Sequence, residues 1–136
     1  MKAFLIATSV LLLAACGQEQ AHHSVTTDDL QGRWVISGVT QSAALTQHVP
    51  WVIFENNAIS GYAGCNNFMG NYQLDKQTLV FEQLASTRML CAGPEMQQED
   101  ALLQFLNQAL HVQKEQQKLL LTVDGKTVLS LTKDNQ

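Results

Sequence analysis

Short runs of apolar or alternating residues recur along most of the chain, and this pattern predicts β-strands. The last two runs flank Asp124-Gly125, which is a strong indication of a β-hairpin. Asn56-Asn57 predicts another turn, because asparagine tolerates positive φ. Seven or eight evenly spaced short strands indicate a closed or nearly closed antiparallel β-barrel, a mainly β fold of the α+β class. The clearest strands fall at residues 34–36, 51–54, 58–63, 72–74, 79–81, 119–122 and 128–131.

One helix is predicted to interrupt the strands near residues 94–110. Pro94 suits a first helical turn, where its missing N–H costs nothing. Glu95 and Glu99 lie near the positive end of the helix dipole, and we interpret Glu99-Asp100 as a solvated turn. The apolar stripe should pack on the sheet or close a barrel mouth, although a helix presented to a membrane or partner is the alternative. The stripe consists of Met96, Leu102, Leu103, Phe105, Leu106 and Leu110.

The first strand begins with Gly32-Arg33-Trp34, which is similar to the Gly-x-Trp of lipocalin-like barrels, where the indole closes one end. The simpler interpretation is a core tryptophan whose N–H finds a partner.

The N-terminal apolar run, residues 3–15, is too short to span a bilayer and fits a removable signal peptide. It ends in Leu13-Ala14-Ala15-Cys16, a bacterial lipobox, so we predict lipidation of Cys16. The alternative is an ordinary signal peptide followed by an unrelated cysteine. Gly17 follows, and a residue other than aspartate there favours the outer membrane. We therefore expect a lipid-anchored protein on the periplasmic face of the outer membrane.

The predicted organisation is a signal peptide at 1–15, a lipidated cysteine and flexible tether at 16–27, and one domain at 28–136. Removing 15 of 136 residues leaves 121, enough for one core. Seven basic and twelve acidic side chains then give a charge of −5, with no basic patch. This composition argues against nucleic acid and against electrostatic docking on lipid, so the acyl chains alone would hold the membrane. We expect a monomer.

The two remaining cysteines, Cys65 and Cys91, predict one disulfide in an oxidising compartment, although two buried free thiols are the alternative. Pairing of Cys65 with His48 or His111 as nucleophile and base is disfavoured by that pattern. His22-His23 lacks further ligands at metal-binding spacing. We therefore expect no catalytic residue, metal site or cofactor.

The densest special segment, residues 61–72, contains three glycines and Asn66-Asn67, which predict a tight bend. A second segment at residues 84–91 would be joined to it by the disulfide. We predict that Arg88 is partly buried and donates to carbonyl groups of this bend.

Three motifs occur here in order: Gly64-Cys65-Asn66, Gly70-Asn71-Tyr72 and Thr87-Arg88-Met89-Leu90-Cys91. Over roughly residues 28–133 the chain resembles the META domain family. The resemblance implies a small lipocalin-like barrel with an inserted helix, and an association with envelope stress, such as heat shock, or secretion. The family has no established catalytic residues. The resemblance implies structural roles for Gly64, Asn66, Gly70, Tyr72, Thr87 and Arg88.

The expected function is that of a non-enzymatic, lipid-anchored envelope module that binds an unidentified envelope protein. The alternative is a carrier of an acyl chain or other apolar ligand inside the barrel. Core filling separates the two, because large inward residues leave no ligand cavity. Exposed Phe68 and Met69 beside the helix would indicate a contact patch. The residues expected to fill the barrel are Trp34, Trp51, Phe54, Phe81 and Leu121.

Overall fold

The computed structural model describes residues 24–41 and 47–135. The signal peptide, Cys16 and His22-His23 lie outside the described residues. Within residues 24–41 and 47–135, two helices and eight strands follow one another. They are α1 (Thr27–Leu30), β1 (Gly32–Val39), β2 (Trp51–Glu55), β3 (Ala58–Tyr62), β4 (Asn67–Asp75), β5 (Thr78–Ser86), α2 (Gly93–Leu106), β6 (Leu110–Glu115), β7 (Lys118–Val123) and β8 (Lys126–Lys133).

The strands form a closed antiparallel barrel in which each strand pairs with the next and β8 returns to β1. This arrangement confirms the predicted antiparallel fold with one long inserted helix. The junction between β5 and β6 is short, because only Thr78 with His111 and Leu79 with Leu110 are paired.

The barrel has two distinct ends. The tether end carries α1 and the turns β2–β3, β4–β5 and β6–β7. There Gln31 contacts the Asn56 backbone, and Val25 and Gln77 exchange hydrogen bonds of 2.7 and 3.1 Å. The helix end carries α2 and the connection from β3 to β4. Val25, close to the N-terminal limit of the described residues, therefore lies at the tether end.

Trp34 closes the tether end. Its buried indole donates its N–H to the Leu30 carbonyl at 2.6 Å, so the one polar atom of the side chain is satisfied. The Lys133 ammonium lies 4.5 Å from the centroid of a Trp34 ring, and burial lowers the pKa of Lys133. Both expectations for Trp34, an end-closing indole and a partnered N–H, agree with this placement.

The folded region begins slightly earlier than the predicted boundary at residue 28. Val25 is buried, and Thr26 and Asp29 form a capping box at the start of α1. Lys114 also hydrogen-bonds Asp29 at 2.5 Å, and this bond, with those from Thr26, holds the pKa of Asp29 far below its ordinary value. Part of the predicted tether therefore belongs to the domain.

Helix α2 is shorter than the predicted 94–110. Its C-cap is Asn107, and Leu110 lies in β6, where its backbone pairs with Leu79. The apolar spacing of the helix continues by chance into the strand, which explains the error. Among the described residues, no helix has the length and apolar character needed to cross a bilayer.

The barrel interior is filled by side chains. Of the residues predicted to fill it, Trp34, Phe54, Phe81 and Leu121 are buried. Trp51 instead faces outward, because it alternates with inward-facing Val52, and the Arg33 guanidinium lies 4.1 Å from its ring centroid. A void of about 10 Å³ remains, roughly the space of one water. It is lined by Ile36, Val52, Phe54, Ile59, Phe68, Phe81, Leu106, Leu121, Leu129 and Leu131.

Candidate functional site

The connection from β3 to β4, residues 63–66, is a tight bend at the helix end, and we call it the bend. Gly64 adopts φ 113°, a conformation that favours glycine. A Cβ at this position would overlap the amide of Gln98. The Tyr62 hydroxyl donates to the Gly64 carbonyl at 2.6 Å, and Ala63 N–H donates to the Asn66 carbonyl at 2.8 Å. The bend therefore requires glycine for both conformation and space.

Asn66 joins the bend to residues 87–92, which we call the 87–92 loop. Its buried Oδ1 accepts from Met89 N–H at 2.7 Å and from the Thr87 hydroxyl at 2.8 Å. Its Nδ2 donates to the Met89 carbonyl at 3.1 Å. One side-chain amide thus satisfies both backbone polar groups of Met89, which fixes the loop in the way that a neighbouring strand would.

Glu99 of α2 holds Asn66 in turn. Only 4% of Glu99 is exposed, and its carboxylate accepts from the Asn66 backbone N–H at 2.6 Å and from Nδ2 at 2.8 Å. In the described part of the chain, no lysine or arginine forms an ion pair with it. The interpretation of Glu99 as part of a solvated turn is therefore wrong. Its negative charge is stabilised by amide donors.

Gln98, beside Glu99 on the helix, is also buried. Its amide donates to the carbonyls of His48 and Ala63 at 3.2 and 3.3 Å. Sequence reasoning missed both residues. Helical spacing could have shown that both side chains face the core. Gln98 lies on the same helix face as Leu102 and Phe105, at i, i+4 and i+7. Glu99 lies beside it and shares its position with Leu106, at i and i+7.

Cys65 and Cys91 form a disulfide with a Cα–Cα distance of 6.0 Å, which confirms the predicted pairing. Cys65 is buried in the bend, whereas Cys91 is exposed at the end of the 87–92 loop. Asn66 and the disulfide therefore fix the same loop at two points, two residues apart.

The fixed loop exposes apolar side chains. Leu90 is 95% exposed and Met89 55% exposed, and Met69 on the neighbouring strand β4 is 64% exposed. Phe68, by contrast, is buried in the core, so only one residue of the predicted Phe68–Met69 patch reaches solvent.

Arg88 does not organise the bend, and this prediction is wrong. Its side chain is exposed, and it forms no hydrogen bond or ion pair with any residue within 24–41 or 47–135. The carbonyl groups of the bend and of the 87–92 loop instead receive hydrogen bonds from the neutral amides of Gln98 and Asn66, which cost less to bury than a charged guanidinium.

Arg88→Ala is accordingly expected to change the free energy of unfolding by less than about 0.5 kcal/mol, as for other exposed positions. Urea unfolding of the two proteins checks this. A loss of about 1–3 kcal/mol would instead support the predicted structural role of Arg88, because that is the cost of leaving buried carbonyl groups unpaired.

The remaining motif residues are spread over the barrel. Gly70 lies at a bulge between β4 and β5, where a Cβ would approach the Glu82 carbonyl to 2.7 Å. The Tyr72 hydroxyl accepts from Gln31 Nε2 at 2.9 Å near the tether end. The Thr87 hydroxyl accepts from Asn67 N–H at 3.2 Å. Of the predicted set, Gly64, Asn66 and Thr87 therefore meet at the helix end, where Arg88 lies exposed beside Thr87.

The disulfide occupies the Cys65 thiol, and His48 Nδ1 lies 3.5 Å from a Glu95 carboxylate oxygen. Across the described residues, no group of three or more histidine, cysteine or acidic side chains is arranged to hold a metal ion. The polar side chains of the bend and α2 instead hold backbone groups in place.

Comparison with known proteins gives matches to solved structures and to one family model. An NMR structure of a protein from Burkholderia xenovorans is 28% identical, with a TM-score of 0.68, covering 81% of this chain and 87% of that one. A second NMR structure is also 28% identical, with a TM-score of 0.66, covering 79% and 94%. No curated protein matches the chain significantly. The family model of the META domain matches residues 28–136.

Proposed function

The chain belongs to the META domain family, and we propose that it is a lipid-anchored, non-enzymatic protein of the cell envelope that binds another envelope protein through the 87–92 loop. The anchor would be the acylated Cys16 in the outer membrane. The association with envelope stress that the family resemblance implies belongs to the same proposal.

The observation that carries this proposal is an apolar loop that is both exposed and rigidly held. Single exposed apolar residues are common, but Met89 and Leu90 are adjacent and their backbone is fixed by Asn66 and a disulfide. A loop that is already ordered loses little conformational entropy when a partner docks. The buried hydrogen bonds of Asn66 and Glu99 therefore do more than stabilise the fold, because they hold the side chains of Met89 and Leu90 in contact with solvent.

The placement of the loop also supports binding to a protein. The chain enters the barrel at the tether end, whereas the 87–92 loop lies at the helix end, a strand length away. Strands of eight or nine residues span roughly 25–30 Å at about 3.3 Å per residue. A protein anchored through Cys16 would present the loop on the side of the domain opposite its point of attachment.

Filling of the barrel disfavours the carrier function. Ligand pockets usually enclose about 300–1,000 Å³, whereas the void among the core side chains is about 10 Å³. An acyl chain would have to displace several buried aromatic and leucine side chains.

In-cell photo-cross-linking tests the proposal. A benzophenone side chain at position 90 should form an adduct with a second protein, whereas one at exposed position 55, at the tether end, should not. Equal labelling at both positions, or none at position 90, would contradict a partner on this loop. Both substitutions replace exposed residues, so neither should disturb the fold.

Cys16→Ser should release the protein from the membrane fraction or leave it unprocessed, because the thiol that accepts the diacylglyceryl group is lost. Membrane fractionation with intact-mass measurement checks both outcomes. Gly17→Asp is the matched control, since it should keep acylation while changing the membrane to which the protein is sorted. A parent protein cleaved elsewhere and without acyl chains would overturn the anchor.

A further inference from the structure

The two halves of the Cys65–Cys91 disulfide differ in their access to solvent. Cys65 is 2% exposed and lies in the bend, whereas Cys91 is exposed on the 87–92 loop. A thiolate that cleaves a disulfide must reach one of its two sulfur atoms, and access decides which sulfur it attacks. Cys91 is therefore open to a thiolate from solvent, while the fold shields Cys65.

The disulfide is one of three attachments of the 87–92 loop. Asn66 binds both backbone groups of Met89, and the Ala92 carbonyl accepts the first hydrogen bond of α2 at 3.2 Å. Among the described residues, Leu90 and Cys91 form no backbone hydrogen bond. Cleavage of the disulfide would therefore free these two residues, while Met89 and the start of α2 stay in place.

The surroundings of Cys65 accommodate its sulfur after the bond breaks. Asn66 Nδ2 lies 3.4 Å from Cys65 Sγ and can donate to it as the sulfur takes the electron pair. Glu99 shares this amide donor, and its negative charge disfavours a lasting thiolate, so the sulfur takes up a proton. The Met89 carbonyl oxygen lies 3.5 Å from Cys65 Sγ and can accept a hydrogen bond from the thiol that results.

We propose that the Cys65–Cys91 disulfide is a reversible redox site, which a dithiol reduces by attack on Cys91 Sγ, and that reduction weakens partner binding by freeing Leu90. The reduction itself follows from the fold. The effect on binding rests on the proposed protein-binding function, because a side chain that is already ordered loses less conformational entropy when a partner docks.

The reduction consists of two thiol–disulfide exchanges. A thiolate of the dithiol bonds to Cys91 Sγ, and the electron pair of the broken bond leaves on Cys65 Sγ, which takes a proton from water. The second thiol of the reductant loses its proton to water and attacks the reductant's own sulfur in this mixed disulfide. Cys91 leaves as a thiolate and is protonated. The dithiol is thereby oxidised by two electrons to its disulfide, and both cysteines become thiols.

The fold distinguishes a dithiol from a single thiol. After the first exchange Cys65 stays in the bend, and Cys91 stays near it because Met89 and Ala92 are still held on either side. The Cys65 thiol then attacks the mixed disulfide at a high effective concentration, expels a single thiol and restores the original bond. A dithiol competes with this reversal because its own second thiol is also held within the mixed disulfide.

Brief exposure of the full chain in detergent to glutathione, followed by an acid quench, tests the site of attack. Peptide mass mapping locates the adduct, and we expect about tenfold more of it on Cys91 than on Cys65. Dithiothreitol should reduce the disulfide completely at a total thiol concentration at which glutathione leaves most of it intact. Equal adducts on the two cysteines, or reduction only after unfolding in urea, would overturn the redox site.

Backbone amide NMR relaxation of the same protein tests the release of the loop. On reduction by dithiothreitol, the order parameter of Leu90 N–H should fall from about 0.85 to below about 0.6, while that of Met89 stays at about 0.85. Cys65→Ala/Cys91→Ala should give the low value for Leu90 with or without dithiothreitol. If this variant does not fold, the parent protein decides the question, and a rigid Leu90 in the reduced parent would overturn the proposal.

Photo-cross-linking at position 90 separates the redox site from the proposed function. The yield of adduct should be about two- to tenfold lower in a folded Cys65→Ala/Cys91→Ala variant than in the protein with the disulfide, because docking must then order Leu90. An undiminished yield would overturn redox control and leave the protein-binding function in place. Absence of the adduct in both proteins would contradict the proposed function, whereas attack on Cys91 is decided by the glutathione adduct alone.

Discussion

Asn66→Ala is expected to lower the free energy of unfolding by about 3–5 kcal/mol, because the Asn66 side chain makes several hydrogen bonds inside the fold at once. The substitution leaves Glu99 buried with one remaining donor, the backbone N–H of residue 66, and leaves both backbone groups of Met89 without their partner. Each buried group left unpaired costs about 1–3 kcal/mol, which supports the same size of effect. The midpoint of thermal unfolding should fall by roughly 10–20 °C.

Asn67→Ala is the matched control for this prediction. Asn67 is adjacent and of the same type, but its side chain is exposed and its structural contacts run through its backbone. Its replacement should change stability by less than about 0.5 kcal/mol. Urea unfolding of both variants and the parent, with equal m-values, measures the difference. Equal stabilities of the two variants would mean that the buried network contributes nothing net.

Removal of the disulfide in Cys65→Ala/Cys91→Ala is expected to cost about 3–4 kcal/mol. The closed loop spans 26 positions, and the chain-entropy model assigns a loop of that size this stabilisation. The cysteine at position 91 is exposed, so Cys91→Ala alone should account for nearly all of the loss. Chemical unfolding with and without a reductant measures this loss of stability. The prediction would be contradicted if the reductant did not change the free energy of unfolding of the parent protein.

The two losses should not be additive. Asn66 and the disulfide hold the same loop. Once one of them is removed the loop is less ordered, so the remaining one contributes less to the free energy of unfolding. The triple variant should therefore be more stable than the sum of the separate losses predicts. Strict additivity would indicate that the two contacts act on separate parts of the fold.

Much of the barrel could be predicted because alternation and turn chemistry act over a few residues. Asp124-Gly125 fixes the β7–β8 hairpin, and the pair Asn56-Asn57, both with positive φ, fixes the β2–β3 turn. Strand β6 was missed because Leu110 continues the helical spacing of α2 and most of the strand after Val112 is polar and exposed. Pairing with β5 and β7, which local sequence does not report, decides its conformation.

The candidate site was predictable only in part. The two cysteines that follow Cys16 indicated their own pairing once an oxidising compartment was expected, and Gly64 and Asn66 are typical of a tight bend. Arg88 was predicted to be partly buried and Glu99 to be solvated, whereas the structure shows the reverse. The presence of a charge in the sequence does not tell which group is removed from water. The Glu99 carboxylate accepts hydrogen bonds from Asn66 across the mouth of the barrel. Residue spacing along one helix does not reveal a contact between such distant parts of the chain.

The disulfide has a topological consequence. Cys65 and Cys91 convert β4, β5 and the turn between them into a covalent ring that includes most of the 87–92 loop. A single cut in this ring, for example by a protease at the exposed turn near Lys76, leaves the two pieces joined. The 87–92 loop can therefore stay covalently attached to the N-terminal part of the chain after such a cut.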